Sequence, residues 1–283
     1  MPGSIEYEVR EIDGPLGAEV LGFDPERPLD HDRFAPLMGA ILDRQVLVFR
    51  DCPLSQEQQI TLSRSFGPLP PHYQSGYHDG RNPEIFIITN IAEDGSLVGK
   101  NPDPTSSVWH IDGSWGRPRT SFTMLHGVEV PSAGGDTEFT NTVLAFESFP
   151  AERQSFLESL EAEHDLAWSI EDTNPDYDWP EEERRKAPVN RRTVVVPHTI
   201  TGRKAIYLGQ HAASIVGMER DAGRKLIAEI NERTAQPSFR YTHKWRTDDV
   251  VIWDNRCTMH RSTPYDYANE RRLVHRTSMQ DTL

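Results

Sequence analysis

His110 and Asp112 stand two residues apart in the segment Trp109-His110-Ile111-Asp112. In an extended chain such residues point to the same face, so this imidazole and carboxylate can reach one metal ion together. The spacing alone is weak, because 11 histidines among 44 acidic residues produce it by chance. A third ligand has to come from elsewhere. His260 is placed for that role, since the apolar run Asp249–Trp253 ends in a polar turn, Asp254-Asn255-Arg256, just before it. Two histidines and one carboxylate on one face of an ion leave three coordination positions open, the arrangement of non-haem iron oxygenases. Zinc sites are more usually closed, or open at a single position.

The segment Arg271–Arg276 reads as a strand on which Arg272, Val274 and Arg276 share a face. Two guanidinium groups turned inward are costly to bury without anions, and a guanidinium fork is a natural partner for a carboxylate. Arg272 and Arg276 lie about 13 Å apart along an extended chain, too far to clasp one carboxylate in the same way, so two anions are expected. Gly134-Gly135-Asp136-Thr137 is a turn that delivers Thr137 onto a strand, where its hydroxyl can donate a further hydrogen bond.

These residues need a scaffold. β-Branched and aromatic runs at Gln45–Arg50, Glu84–Thr89, Ser121–Val130, Thr193–Pro197, Lys204–Leu208, Phe239–His243 and Asp249–Trp253 read as strands. Helical spacing appears at Ser55–Phe66, where Ser55 and Gln58 form a capping-box pattern, and at Pro150–Asp165 and Arg220–Thr234. Many strands with few helices and no regular alternation predict a mainly β fold with flanking helices, a jelly-roll or double-stranded β-helix core, in one domain over 1–283. The irregular stretches 90–108 and 170–192 read as long connections with the composition of lids.

The net charge of -14, from 30 basic and 44 acidic residues, disfavours nucleic acid and anionic membrane partners. No apolar run approaches a membrane span, and the charged N-terminus lacks the pattern of a signal peptide. With only Cys52 and Cys257, no disulfide framework is available, which suits a reducing, cytoplasmic setting.

The sequence resembles the TauD/TfdA group of iron(II)/2-oxoglutarate dioxygenases, the taurine and 2,4-D dioxygenases. The matching segments are Trp109–Ser114 (WHIDGS), Gly134–Phe139 (GGDTEF), Thr201–Tyr207 (TGRKAIY), Asp249–Arg256 (DVVIWDNR) with His260, and Arg271–Arg276 (RRLVHR), in family order; Gly17–Gly22 and Phe66–Pro68 are similar too. The resemblance implies a cupin-like core, Fe(II) held by His110, Asp112 and His260, and 2-oxoglutarate held at its distal carboxylate by Arg272 and Thr137. It also implies O2 as oxidant, a small acidic organic substrate near Arg276, and a homo-oligomer, dimer or tetramer. Lys204–Met218 is closer to the aryloxyalkanoate branch, whereas Pro71–Gln74 is similar to the taurine branch and gives His72 and Tyr73 a substrate role. Two other classes stand beside this one: a zinc hydrolase using Cys257 or a metal-bound water, which leaves the two arginines unexplained, and a non-catalytic jelly-roll binding module, which has no need of a metal triad together with a carboxylate clamp.

Overall fold

The computed structural model describes residues 6–72, 80–177, 179 and 181–282. Its frame is a seven-stranded sheet in the order Glu8–Glu11, Ala18–Leu21, Val46–Phe49, Val250–Asp254, Thr120–Glu129, Leu273–Gln280, Phe86–Thr89. All its pairings are antiparallel except that of Ala18–Leu21 with Val46–Phe49. A three-stranded sheet, Arg240–His243, Thr137–Asn141 and Thr258–Ser262, lies against it.

Alternation along the central strands builds two cores. Leu47, Phe49, Val250, Ile252, Phe122 and Met124 face the helices His31–Arg44 and Gln56–Phe66, packing with Leu37, Ile41, Leu62 and Phe66. Their neighbours Val46, Val48, Val251, Trp253 and Leu125 face the smaller sheet and meet Phe139. The strand Val250–Asp254 is buried on both faces, so its sequence is a continuous apolar run rather than an alternating one.

The expected strands are present with boundaries moved by a few residues. The capping box forms as expected, with Ser55 accepting from the Gln58 amide and Gln58 accepting from the Ser55 amide. Two expectations need correction. The helix expected over Pro150–Asp165 ends at Glu158, and Glu161–His164 is a strand between Ala212–Ile215 and Asn190–Thr193. Its alternate residues Ala162 and His164 are buried, so sheet pairing overrides helical propensity there. The stretch 170–192 is likewise not a bare connection: it holds the end of the helix Leu166–Thr173, the short helix Glu181–Lys186 and the strand Asn190–Thr193. The helix His31–Arg44 gave no clear signal because Pro36 and Gly39 interrupt it; burial of Arg33, Leu37 and Ile41 holds it in place. No helix among the described residues is long and apolar enough to cross a membrane.

The turn after Val250–Asp254 is fixed by a buried ion cluster. Asp254 receives Arg256 through Nε and Nη2 at 2.8 and 2.7 Å and His198 Nε2 at 2.9 Å. Burial alone would raise the Asp254 pKa, but hydrogen bonds from His198 and Arg256 hold it below the usual carboxylate range. Because Arg256→Met leaves that carboxylate buried without its main counter-charge, we expect a loss of about 3–5 kcal/mol in urea-unfolding stability at neutral pH. A loss under 1 kcal/mol would show that the cluster does not hold the turn.

Candidate active site

His110 and His260 lie opposite each other in an isolated antiparallel bridge. The His110 amide donates to the His260 carbonyl at 3.0 Å and the His260 amide to the His110 carbonyl at 2.9 Å. This places the two rings with centroids 4.1 Å apart. The loop at Gly209 closes on them from behind: its φ of +87° suits glycine, and a Cβ there would lie 3.0 Å from the His110 Cα.

Asp112 completes the set, with His110 Nε2 at 3.7 Å from Oδ1 and His260 Nε2 at 3.6 Å from Oδ2. One potential ligand atom from each of the three residues lies within 4.8 Å of the others. With metal–ligand bonds of about 2.0–2.2 Å, ligands on one ion sit about 3–4 Å apart, so these residues fit a metal. Their protonation also fits. His110 Nδ1 faces the Val108 carbonyl at 2.7 Å, which fixes its proton on that nitrogen and leaves Nε2 a free lone pair. Burial pushes the His260 pKa well below its usual value. Burial opposes ionisation of Asp112, yet neighbouring groups, among them the Arg276 guanidinium and the Thr123 hydroxyl, hold it below the usual carboxylate range. A neutral imidazole at His260 and a carboxylate at Asp112 are the ligand states that metal binding requires.

A chain of hydrogen bonds sets the carboxylate plane. Thr123 donates to Asp112 Oδ2 at 2.7 Å, Asn255 Nδ2 donates to Thr123 Oγ1 at 2.9 Å, and Asn255 Oδ1 accepts from Trp253 Nε1 at 3.0 Å. Sequence reading assigned no role to Thr123 or Asn255. Thr123 reaches the site only through its register with Trp253, which becomes visible once the strands are paired; Asn255 stands in the motif that carried the resemblance, and its place in the turn was the one signal available.

The triad opens onto a cavity of about 830 Å³, lined among others by Phe86, Ile88, Trp115, Leu166, Ile170 and Tyr177. Arg276 enters it as expected: Nη1 lies 3.8 Å from Asp112 Oδ1, Nη2 lies 3.3 Å from His72 Nε2, and the guanidinium covers the Phe86 ring at 4.4 Å. His72 therefore joins the site, whereas Tyr73 lies outside the described residues. Arg272 and Thr137 sit behind this lining rather than in it. Thr137 is buried and accepts from Trp245 Nε1 at 3.0 Å. The turn before it requires glycine, since a Cβ on Gly134, at φ +73°, would fall 2.4 Å from the Pro264 carbonyl oxygen. Arg272 is buried over the Tyr265 ring, its Nε has no hydrogen-bond partner, and no carboxylate among the described residues is within ion-pair distance. By contrast, Arg271 points outward and pairs with Glu129 at 2.7 Å. Cys257 is buried, and burial pushes its thiol pKa well up, which makes it a poor nucleophile.

Residues 8–278 match the family model for the taurine catabolism dioxygenase TauD, TfdA family. The chain belongs to the TauD/TfdA dioxygenase family. It is 36% identical over 253 residues to an alpha-ketoglutarate-dependent 2,4-dichlorophenoxyacetate dioxygenase from Cupriavidus pinatubonensis, covering 85% of this chain and 86% of the relative. It is 30% identical over 281 residues to an (S)-phenoxypropionate/alpha-ketoglutarate-dioxygenase from Sphingobium herbicidovorans, covering 95% and 93%. Among solved structures, AAD-2 in complex with Mn(II) and N-oxalylglycine superposes with a TM-score of 0.86 at 29% identity, over 98% of both chains. This TauD/TfdA protein is thus a 2-oxoglutarate-dependent dioxygenase with the family's jelly-roll fold, using Fe(II), 2-oxoglutarate and O2.

Because Thr123 orients Asp112 without touching a metal itself, Thr123→Val should weaken Fe(II) affinity about 10–100-fold while leaving the circular dichroism spectrum intact. Metal titration under anaerobic conditions reads this, and unchanged affinity would remove Thr123 from the site.

Proposed function

We propose that His110, Asp112 and His260 hold Fe(II), that Arg272 and Thr137 hold the distal carboxylate of 2-oxoglutarate, and that Arg276 with His72 binds the acidic group of a small organic substrate. The observation that carries this reading is Arg272, a buried arginine without a carboxylate partner among the described residues. A guanidinium so placed is expensive unless an anion joins it. Thr137 and Phe139 share a strand face, and Phe139 stacks on His260 with ring centroids 6.0 Å apart, which supports a cosubstrate running from the Thr137 region toward the triad.

When bound, iron with 2-oxoglutarate and dioxygen supplies the oxidation, converting the cosubstrate to succinate and carbon dioxide and delivering oxygen to a substrate C–H bond. The chain's residues position and shield. Arg276 lies on the cavity side of the triad, so an acid paired with it has its carbon skeleton beside His110 and Asp112. Phe86, Ile88, Leu166 and Ile170 offer that skeleton an apolar wall that excludes water. Several relatives are named for substrates of this kind: 2,4-dichlorophenoxyacetate and (S)-phenoxypropionate for those above, and a sulfate ester for an enzyme of Pseudomonas putida. Pro102–Thr105 and Ile170–Tyr177 contribute to the lining, which supports a covering role for 90–108 and 170–192 within one domain. The two buried free cysteines support a cytoplasmic setting, and the family resemblance supports assembly as a dimer or tetramer.

Three substitutions test the assignment. His260→Ala should abolish substrate-dependent succinate formation in a folded protein. Arg272→Ala should weaken 2-oxoglutarate binding by about 2–5 kcal/mol, with Arg271→Ala as control; unchanged affinity would mean that another cation holds the cosubstrate. Arg276→Gln should raise KM for an acidic substrate such as 2,4-dichlorophenoxyacetate far more than for its neutral amide, with 2-oxoglutarate affinity nearly constant. Equal losses for acid and amide would make Arg276 structural.

A further inference from the structure

A second buried polar group without a partner lies beside Arg272. The hydroxyl of Tyr265 is buried and has no hydrogen-bond partner among the described residues. Its ring faces the Arg272 guanidinium, with Cζ 5.8 Å from the ring centroid. A phenol withdrawn from water normally finds a new partner, because an unpaired hydroxyl forfeits the hydrogen bonds that it made in solvent.

The surroundings keep this phenol in place. Tyr265 pairs with Gly134 in an isolated antiparallel bridge, and a Cβ on Gly135 would lie 3.4 Å from its ring. The Tyr267 ring stands 4.3 Å away on centroids. The turn that delivers Thr137 is therefore the one that holds Tyr265 beside Arg272.

These side chains are donors in search of an acceptor. Arg272 offers a guanidinium whose Nε has no partner. Thr137 Oγ1 accepts from Trp245 Nε1 at 3.0 Å, so its own proton remains for another acceptor. Burial pushes the Tyr265 pKa up to about 12 against the pull of Arg272, so the phenol stays protonated and able to donate. A carboxylate presents about four lone-pair sites on two oxygens, enough for a guanidinium fork, a threonine and a phenol together.

We propose that Tyr265 is a third residue of the cosubstrate pocket and donates its hydroxyl to the distal carboxylate of 2-oxoglutarate. The inference rests on the assignment of that carboxylate to Arg272 and Thr137. It adds a contact that only a dicarboxylate can use, so Tyr265 helps to select 2-oxoglutarate over 2-oxo acids that end in a methyl group.

The test is calorimetric titration of the Fe(II)-loaded protein under anaerobic conditions with 2-oxoglutarate and with 2-oxopentanoate, whose chain is as long but carries a methyl in place of the distal carboxylate. Tyr265→Phe should weaken 2-oxoglutarate binding roughly tenfold and leave 2-oxopentanoate unaffected. Because the substitution removes a hydroxyl that has no partner, the ligand-free variant should melt no lower than wild type. Its stabilisation by 2-oxoglutarate should be smaller. Unchanged 2-oxoglutarate affinity, an equal loss for both acids, or a ligand-free variant that melts well below wild type overturns the proposal. Arg272→Ala on the same assay separates the two assignments. If it weakens 2-oxoglutarate binding while Tyr265→Phe does not, only the role of Tyr265 falls; if neither does, the pocket is wrongly placed and both fall.

Discussion

The site depends on a pair of backbone hydrogen bonds, those joining His110 and His260. The two histidines are 150 positions apart in the chain, and their side chains meet because their main chains pair as neighbouring strand residues. Once that bridge exists, Asp112 follows two residues after His110 and needs no long-range contact of its own to reach the same face. The strand Thr258–Ser262 is in turn held in register with Thr137–Asn141, which sets Phe139 opposite His260 and leaves Thr137 opposite Ser262. The main-chain pairing that brings the triad together thus also sets where the cosubstrate would run on the proposed assignment.

What could be read from the sequence was local. His110 and Asp112 were legible because their spacing is a local matter, and so was the burial of Arg272 and Arg276, because strand alternation places them inward. The outward Arg271 follows the same rule. Thr123 was not legible, since it enters the site through a strand pairing that a one-dimensional pattern does not encode. Glu161–His164 shows the same limit in the fold: a segment with helical composition becomes a strand because Asn190–Thr193 and Ala212–Ile215 supply partners on both sides.

The electrostatics of the interior run against those of the whole chain. A protein with a net charge of -14 buries Arg272 with no carboxylate at ion-pair distance among the described residues, and holds Arg276 3.8 Å from Asp112. Other buried charges are matched: Arg256 is met by Asp254, and Arg50 by Asp249 at 2.6 Å and Glu19 at 2.8 Å. The contrast supports the ligand-binding roles proposed for Arg272 and Arg276.

Arg276 and a metal ion draw on the same carboxylate. Without a cation at the triad, the charge of Asp112 is shared between the Thr123 hydroxyl and the Arg276 guanidinium. An ion held by Asp112 would take up that charge at closer range, where Coulomb attraction exceeds that of a contact at 3.8 Å. Arg276, between Phe86 and His72, would then face a cavity with less negative potential, which favours the anionic substrate proposed for it. On the proposed assignment, metal binding and substrate binding would therefore be coupled through Asp112, the acid being held more firmly once the metal is in place.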